Sequence, residues 1–247
     1  MICSCRTSVF RIRRAFASAA RVAAAAFVAA ATLQSANAYV LNGKVWATGS
    51  NVVMQLELGP AGKTLTDGNT SWNAAVAPAL DARNQQIARM QFGSVMNSTA
   101  PLSSGDRINT VAFSSTVFGQ AFGSSTLAVT YYIMQGSNMV EADVLFNQAQ
   151  TFDSYHGPLK FAGSGYAIAD IRRVFLHELG HALGLNHSTG DVVMNAITSD
   201  REVLAADDIA GAQAMYGVPV TTPTPAPTPA PTDSRLVNIS TRMKVGT

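Results

Sequence analysis

Three of the chain's four histidines fall within eleven consecutive residues, His177-Glu178-Leu179-Gly180-His181-Ala182-Leu183-Gly184-Leu185-Asn186-His187. This spacing restricts the local fold severely. On an α-helix, His177 and His181 lie on one face, about 6 Å apart along the axis. Their ring nitrogens can then converge on one ion at roughly 2.0–2.1 Å. Gly184 can take positive φ, end the helix and turn the chain back. His187 can then supply a third nitrogen. Three protein ligands around zinc leave the fourth position to water, as in a catalytic site rather than a closed structural one. Glu178 is not placed to bind the metal. It suits a general base that takes a proton from the zinc-bound water and delivers it to the leaving amine of a peptide.

The segment from Asp170 to Leu176 leads into these ligands. Ile171, Val174 and Phe175 form an apolar side, and Arg172 and Arg173 read as a solvated face. A helix over about 169–183 follows, with Leu179, Ala182 and Leu183 helping to bury it.

With Ser188 directly after the third histidine and Met194 in Asp191-Val192-Val193-Met194-Asn195, the H-E-x-x-H-x-x-G-x-x-H motif resembles that of the metzincin metalloproteases, and among them the matrixins. The resemblance makes Met194 the Met-turn residue, an apolar floor beneath the zinc. Asn195 stands where matrixins usually carry proline. Leu204 to Gly217 is similar to the matrixin C-terminal helix. Asp207 and Asp208 occupy its first turn, where carboxylates favour the helix dipole. The resemblance implies that they tie the helix to the Met-turn and to the mature N-terminus. Ile209, Ala212 and Tyr216 recur at helical spacing and should face the core, and Gly217 and Pro219 end the helix.

The fold class implied is α+β and zincin-like. It has a twisted, mixed, mostly parallel sheet with an antiparallel edge strand, an active-site helix, a Met-turn and a C-terminal helix. Strand signals are at Val52–Leu58, 108–113, 126–134 and 139–146, with a hairpin turn at Gln135-Gly136-Ser137-Asn138. Ser71 is placed to cap a helix carrying Trp72, Val76, Leu80, Ile87 and Met90. Pro78 either kinks that helix or begins a new one. Gly93 to Gly105 reads as a loop. By resemblance, Leu127–Tyr131 is the edge strand to which a substrate peptide adds.

One zinc is expected. Animal matrixins carry a second, structural zinc on histidines, but Val129 and Val144 or Leu145 occupy those positions here. The fourth histidine, His156, reads as a loop residue. Calcium is left open through loop aspartates and carbonyls, with no EF-hand-like pattern.

Residues 1–38 read as a secretory signal. A basic stretch (Arg6, Arg11, Arg13, Arg14, Arg21) precedes an Ala-rich apolar run at Val22–Leu33, too short for a membrane span, and then Ala36-Asn37-Ala38. Removing it takes five of the 17 Lys+Arg and none of the 15 Asp+Glu, so the net charge moves from +2 to −3. That balance gives no reason to expect a nucleic-acid partner. Both cysteines, Cys3 and Cys5, leave with the signal, so neither a disulfide nor a thiol lock on the zinc is expected in the mature chain. Residues 39–218 form the expected catalytic domain, 219–232 a Pro/Thr-rich extended linker, and 233–247 a short tail. The expectation is a secreted, monomeric zinc endopeptidase acting on proteins or peptides, with no transmembrane segment. The competing reading is a non-catalytic peptide-binding or surface-displayed module.

Overall fold

The computed structural model describes residues 38–220, so the signal segment, the tail and nearly all of the linker lie outside the described residues. Strand β1 (Val40–Leu41) is followed by β2 (Ser50–Leu56), helices α1 (Trp72–Val76) and α2 (Pro78–Asn84), β3 (Met90–Met96) and β4 (Asn109–Ser114). A small hairpin, β5 (Thr116–Val117) and β6 (Gln120–Ala121), leads to β7 (Ala128–Gln135) and β8 (Asn138–Asn147). Then come β9 (Phe152–Asp153), β10 (Lys160–Phe161), β11 (Ala167–Asp170), α3 (Ile171–Leu183), β12 (Leu185–Asn186) and α4 (Ala206–Tyr216).

The main sheet has the order β3-β2-β4-β8-β7. Its first four strands are parallel, and β7 runs antiparallel to β8 at the edge. This is the mixed, mostly parallel α+β arrangement expected from the sequence. Burial explains the patterns. β2 alternates, burying Val52, Met54 and Leu56, because helices cover one of its faces. β8 is buried almost continuously from Glu141 to Asn147, as befits a strand with neighbours on both sides and cover on both faces. Phe146 and Phe175, with ring centroids 6.3 Å apart, join the sheet to α3. The β7–β8 turn closes with Gln135 opposite Asn138 and Gly136 at φ 65°, in line with the expected hairpin.

Of the two alternatives at Pro78 the structure takes the second: Pro78 opens α2, with α1 ending before it. Three local expectations need correction. Ser71 occupies the N-cap of α1, yet its side chain makes no capping bond and instead reaches the Gly59 carbonyl at 3.4 Å. Met90 belongs to no helix: with Gly93 it lies in β3, so the loop starts later than expected. Gly93 fits there because a Cβ would stand 3.1 Å from Asn51 Oδ1 on the neighbouring strand. Finally, Arg173 is not solvated. It is 4% exposed, and its guanidinium donates to the carbonyls of Ser199 (2.7 Å) and Gly157 (2.8 Å) from two separate loops.

Candidate metal centre

Helix α3 is the scaffold. Asp170, the last residue of β11, caps it by accepting from the Arg173 N–H, and ten of its 13 residues are buried. A buried Leu or Phe contributes about 1.5–3 kcal/mol, so the helix is fixed mainly by its apolar face. His177 and His181 project from the remaining face. Each donates from Nδ1 to a main-chain carbonyl at 2.7 Å: His177 to Val193, and His181 to Leu185. These bonds place the proton on Nδ1 and leave Nε2 as a lone pair.

After Leu183 the chain turns at Gly184, whose φ of 112° no larger residue adopts readily. Its N–H bonds back to Gly180 and His181. Strand β12 then pairs with β1, and His187 swings over the helix. The Nε2 of His181 ends 3.1 Å from that of His177 and 3.2 Å from that of His187. The three ligand nitrogens lie within 4.8 Å of one another, and lone pairs facing one another at such range repel unless a cation sits among them. Two nitrogens bound to one tetrahedral zinc would lie about 3.3 Å apart, from bonds of roughly 2.0–2.1 Å, so the two spacings about His181 fit that ion. Protons are rejected. Burial, then the neighbouring His181, pushes His177 down to about 3, the Val193 bond only partly opposing this. Burial likewise pushes His181 down to about 4.

Met194 is 2% exposed and packs on α3 at Gly180, where any Cβ would overlap its sulfur. Asp208, at the start of α4, accepts from Val193 N (2.9 Å), Met194 N (2.9 Å) and Ala205 N (2.7 Å). Asp207 accepts from Ala38 N (2.8 Å) and Tyr39 N (2.9 Å). The two aspartates thus join α4 to the turn and to the start of the described chain. Asn195 closes its turn with an N–H to Val192 O at 3.3 Å, a bond that proline could not make. Tyr216 is buried, donating to Leu183 O and accepting from Trp46 N, and Ala212 is buried too, while Ile209 is half-buried.

Glu178 is 5% exposed and lines the cleft that also holds the three histidines. Burial pushes its carboxyl up to about 7, against the lowering effect of hydrogen bonds from Thr130. The cleft is lined by Leu127–Thr130 of the sheet edge, by Val192–Val193 and Asn195–Ser199, and by Ile168 and Arg173. His156 lies away from the triad, bonded to Glu202 at 2.9 Å and near Arg172.

Two participants escape sequence reading. Thr130 sits inside a run read as apolar edge strand, its one hydroxyl the only signal. Arg83, 1% exposed on α2, donates to Leu176 O (2.7 Å) and approaches the Met194 sulfur at 3.5 Å. Nothing in its local pattern marks it as buried.

The chain belongs to the matrixin family, whose model, described as Matrixin (peptidase M10), matches residues 54–217. Matrixins are zinc metalloendopeptidases. The chain is similar to the macrophage metalloelastase of Rattus norvegicus, 33% identical over 104 residues, covering 40% of this chain and 20% of that protein. It is 46% identical to metalloendoproteinase 5-MMP of Arabidopsis thaliana over 54 residues, 20% of this chain and 15% of the relative. It is 49% identical to an interstitial collagenase of Oryctolagus cuniculus over 51 residues, 19% and 11% respectively. The matched segments therefore span a fifth or less of these relatives' lengths. Among the described residues, no helix is long and apolar enough to cross a membrane.

Proposed function

We propose that the protein is a secreted, zinc-dependent endopeptidase that hydrolyses peptide bonds in proteins, with His177, His181 and His187 as ligands of one zinc and Glu178 as general base. The observation that carries this is the convergence of three Nε2 lone pairs beside a buried carboxylate in one cleft. Zinc held there supplies Lewis acidity toward a water molecule and the scissile carbonyl.

The chain's own groups do the rest. β7 ends the main sheet, and among the described residues no strand pairs with its outer edge. An extended peptide can add there through main-chain hydrogen bonds, which hold it across the cleft without demanding a particular sequence. Glu178 accepts the proton of the attacking water and passes it to the amine nitrogen as the peptide C–N bond breaks. Its raised pKa, near neutrality, suits a group that must both take and release a proton. Met194 and Asp208 hold the turn that fixes His177.

The test is casein hydrolysis by the purified chain, with chelator, zinc re-addition and Glu178→Ala. Cleavage that chelator abolishes, zinc restores and the Ala variant lacks supports the reading. A zinc-loaded wild type that cleaves nothing in a diverse peptide library overturns it and leaves the peptide-binding alternative.

A further inference from the structure

The sheet edge and the carboxylate meet at a single residue. Thr130 is the third residue of β7, and its Oγ1 lies 2.7 Å from Glu178 Oε2 and 3.0 Å from the Glu178 carbonyl oxygen. Period-2 alternation turns the side chains of Val129 and Tyr131 to the other face, so Thr130 alone of these three faces α3. Among the described residues, no hydrogen bond reaches Glu178 Oε1. The carboxylate is therefore held by one oxygen and free at the other.

A hydroxyl carries one proton. Beside an ionised carboxylate it donates to Oε2, the nearer of its two acceptors. When Oε1 holds a proton, Oε2 remains an acceptor and the same bond persists. The hold on the side chain therefore survives both protonation states that a general base passes through. An unrestrained Glu has three rotatable bonds and would spread its carboxylate over several orientations.

We propose that Thr130 is a positioning residue for Glu178. Its hydroxyl pins Oε2 so that Oε1 faces the attacking water. This rests on the endopeptidase reading above. It also has a mechanical consequence. The main chain of Thr130 is part of the edge to which a peptide adds, while its side chain orients the base, so peptide docking and base alignment share one residue.

Valine is the informative replacement. It keeps the branched shape and the strand preference and removes only the hydroxyl. The zinc-loaded full chain is compared with Thr130→Val and Thr130→Ser, with Glu178→Ala as the floor, on one fluorogenic peptide. Thr130→Val is expected to lower kcat about 10- to 100-fold, the usual cost of a misplaced catalytic group, with KM within about twofold. Thr130→Ser should restore kcat to within about threefold of wild type. A kcat for the Val variant within about twofold of wild type overturns the proposal, as does a loss carried by KM alone or a Ser variant as slow as Val. Crystal structures of the zinc-loaded wild type and Val variant provide a readout independent of turnover. The Glu178 carboxylate should rotate in the variant, and an unchanged position overturns the proposal. If the wild type cleaves nothing, the endopeptidase reading falls, and the two structures still decide whether Thr130 sets the carboxylate.

Discussion

Asp208→Asn should loosen the proposed metal centre from a distance. Asp208 is 1% exposed and accepts three main-chain N–H groups: Met194 on Oδ1, and Val193 and Ala205 on Oδ2. Asparagine keeps one acceptor oxygen. If that oxygen stays with Val193 and Ala205, the amide NH2 faces the Met194 N–H, and two donors confront each other without water. A hydrogen bond to a charged group contributes about 1.5–3 kcal/mol, so the lost Met194 bond alone costs about that much. The two surviving bonds pass from a charged to a neutral acceptor and weaken by roughly half. The total is about 3–6 kcal/mol. Unlike a simple packing defect, the loss should also reach the metal. Val193 supplies the carbonyl that orients His177, and its own N–H is held by Asp208. Urea unfolding of the metal-free protein should show the destabilisation, and competition with a chromogenic chelator should show weakened zinc binding, about tenfold or more for a lost support of a ligand. An Asn variant within about 1 kcal/mol of wild type and with unchanged zinc affinity would refute the reasoning, since three buried donors cannot lose their charged acceptor at no cost.

Gly184→Ala should be as damaging, because φ is 112° and a Cβ would overlap the Lys44 carbonyl oxygen while lying 3.1 Å from the Met215 sulfur. We expect a loss of about 3–5 kcal/mol in urea unfolding and weaker zinc binding, since the turn carries Leu185 O and His187 into place; wild-type values for both would exclude this role. Chelation should lower the melting temperature, and a thousandfold excess of zinc over its Kd should add about 4 kcal/mol of stability; a melting curve indifferent to zinc would mean that the triad does not bind it. Asp143 is fully buried, with burial, then the charges of Glu141 and Asp106, pushing its carboxyl up to about 7 against the Thr110 N–H. Because the folded value exceeds the unfolded one near 3.8, stability is retained at pH 4 and lost as pH rises through 7. Asp143→Asn removes that charge and should stabilise the metal-free protein at pH 8 by about 2 kcal/mol, the gain vanishing near pH 4; parallel pH profiles for the two proteins would rule out the effect.

The regions that could be read from sequence share a physical property. β8 and the apolar side of α3 bury most of their residues, so their hydrophobic patterns are dense and their boundaries nearly right. β3 fails for the opposite reason. It is the other edge of the sheet, with Gln91 exposed and its last three residues facing solvent, so its apolar signal is sparse. Met90 also stands at helical spacing behind Ile87, so the helical pattern runs on past the true end of the helix. Arg173 fails because its environment is not local. The carbonyls that satisfy its buried guanidinium come from Gly157 and Ser199, 16 and 26 residues away. Charge in a helix's first turn reads as solvated unless such partners are known.

At the candidate site the letters name the proposed ligands but not what aims them. Both helical histidines are oriented by carbonyl oxygens, and a carbonyl has no letter. What the sequence does carry is the residue that sets each carbonyl. Gly184 makes the turn that presents Leu185 O to His181, and Asp208 fixes the Val193 peptide whose oxygen meets His177. Asp208 is 31 positions beyond the histidine it steadies and touches no imidazole. Its first-turn place in α4 suggested a role with the helix dipole. The structure shows a stronger one: its carboxylate joins the start of that helix to the turn beneath the histidines, so the orientation of a ring on α3 depends on the packing of α4. A motif search therefore finds three nitrogens, whereas their convergence to within 4.8 Å of one another comes from a glycine and an aspartate acting through the backbone.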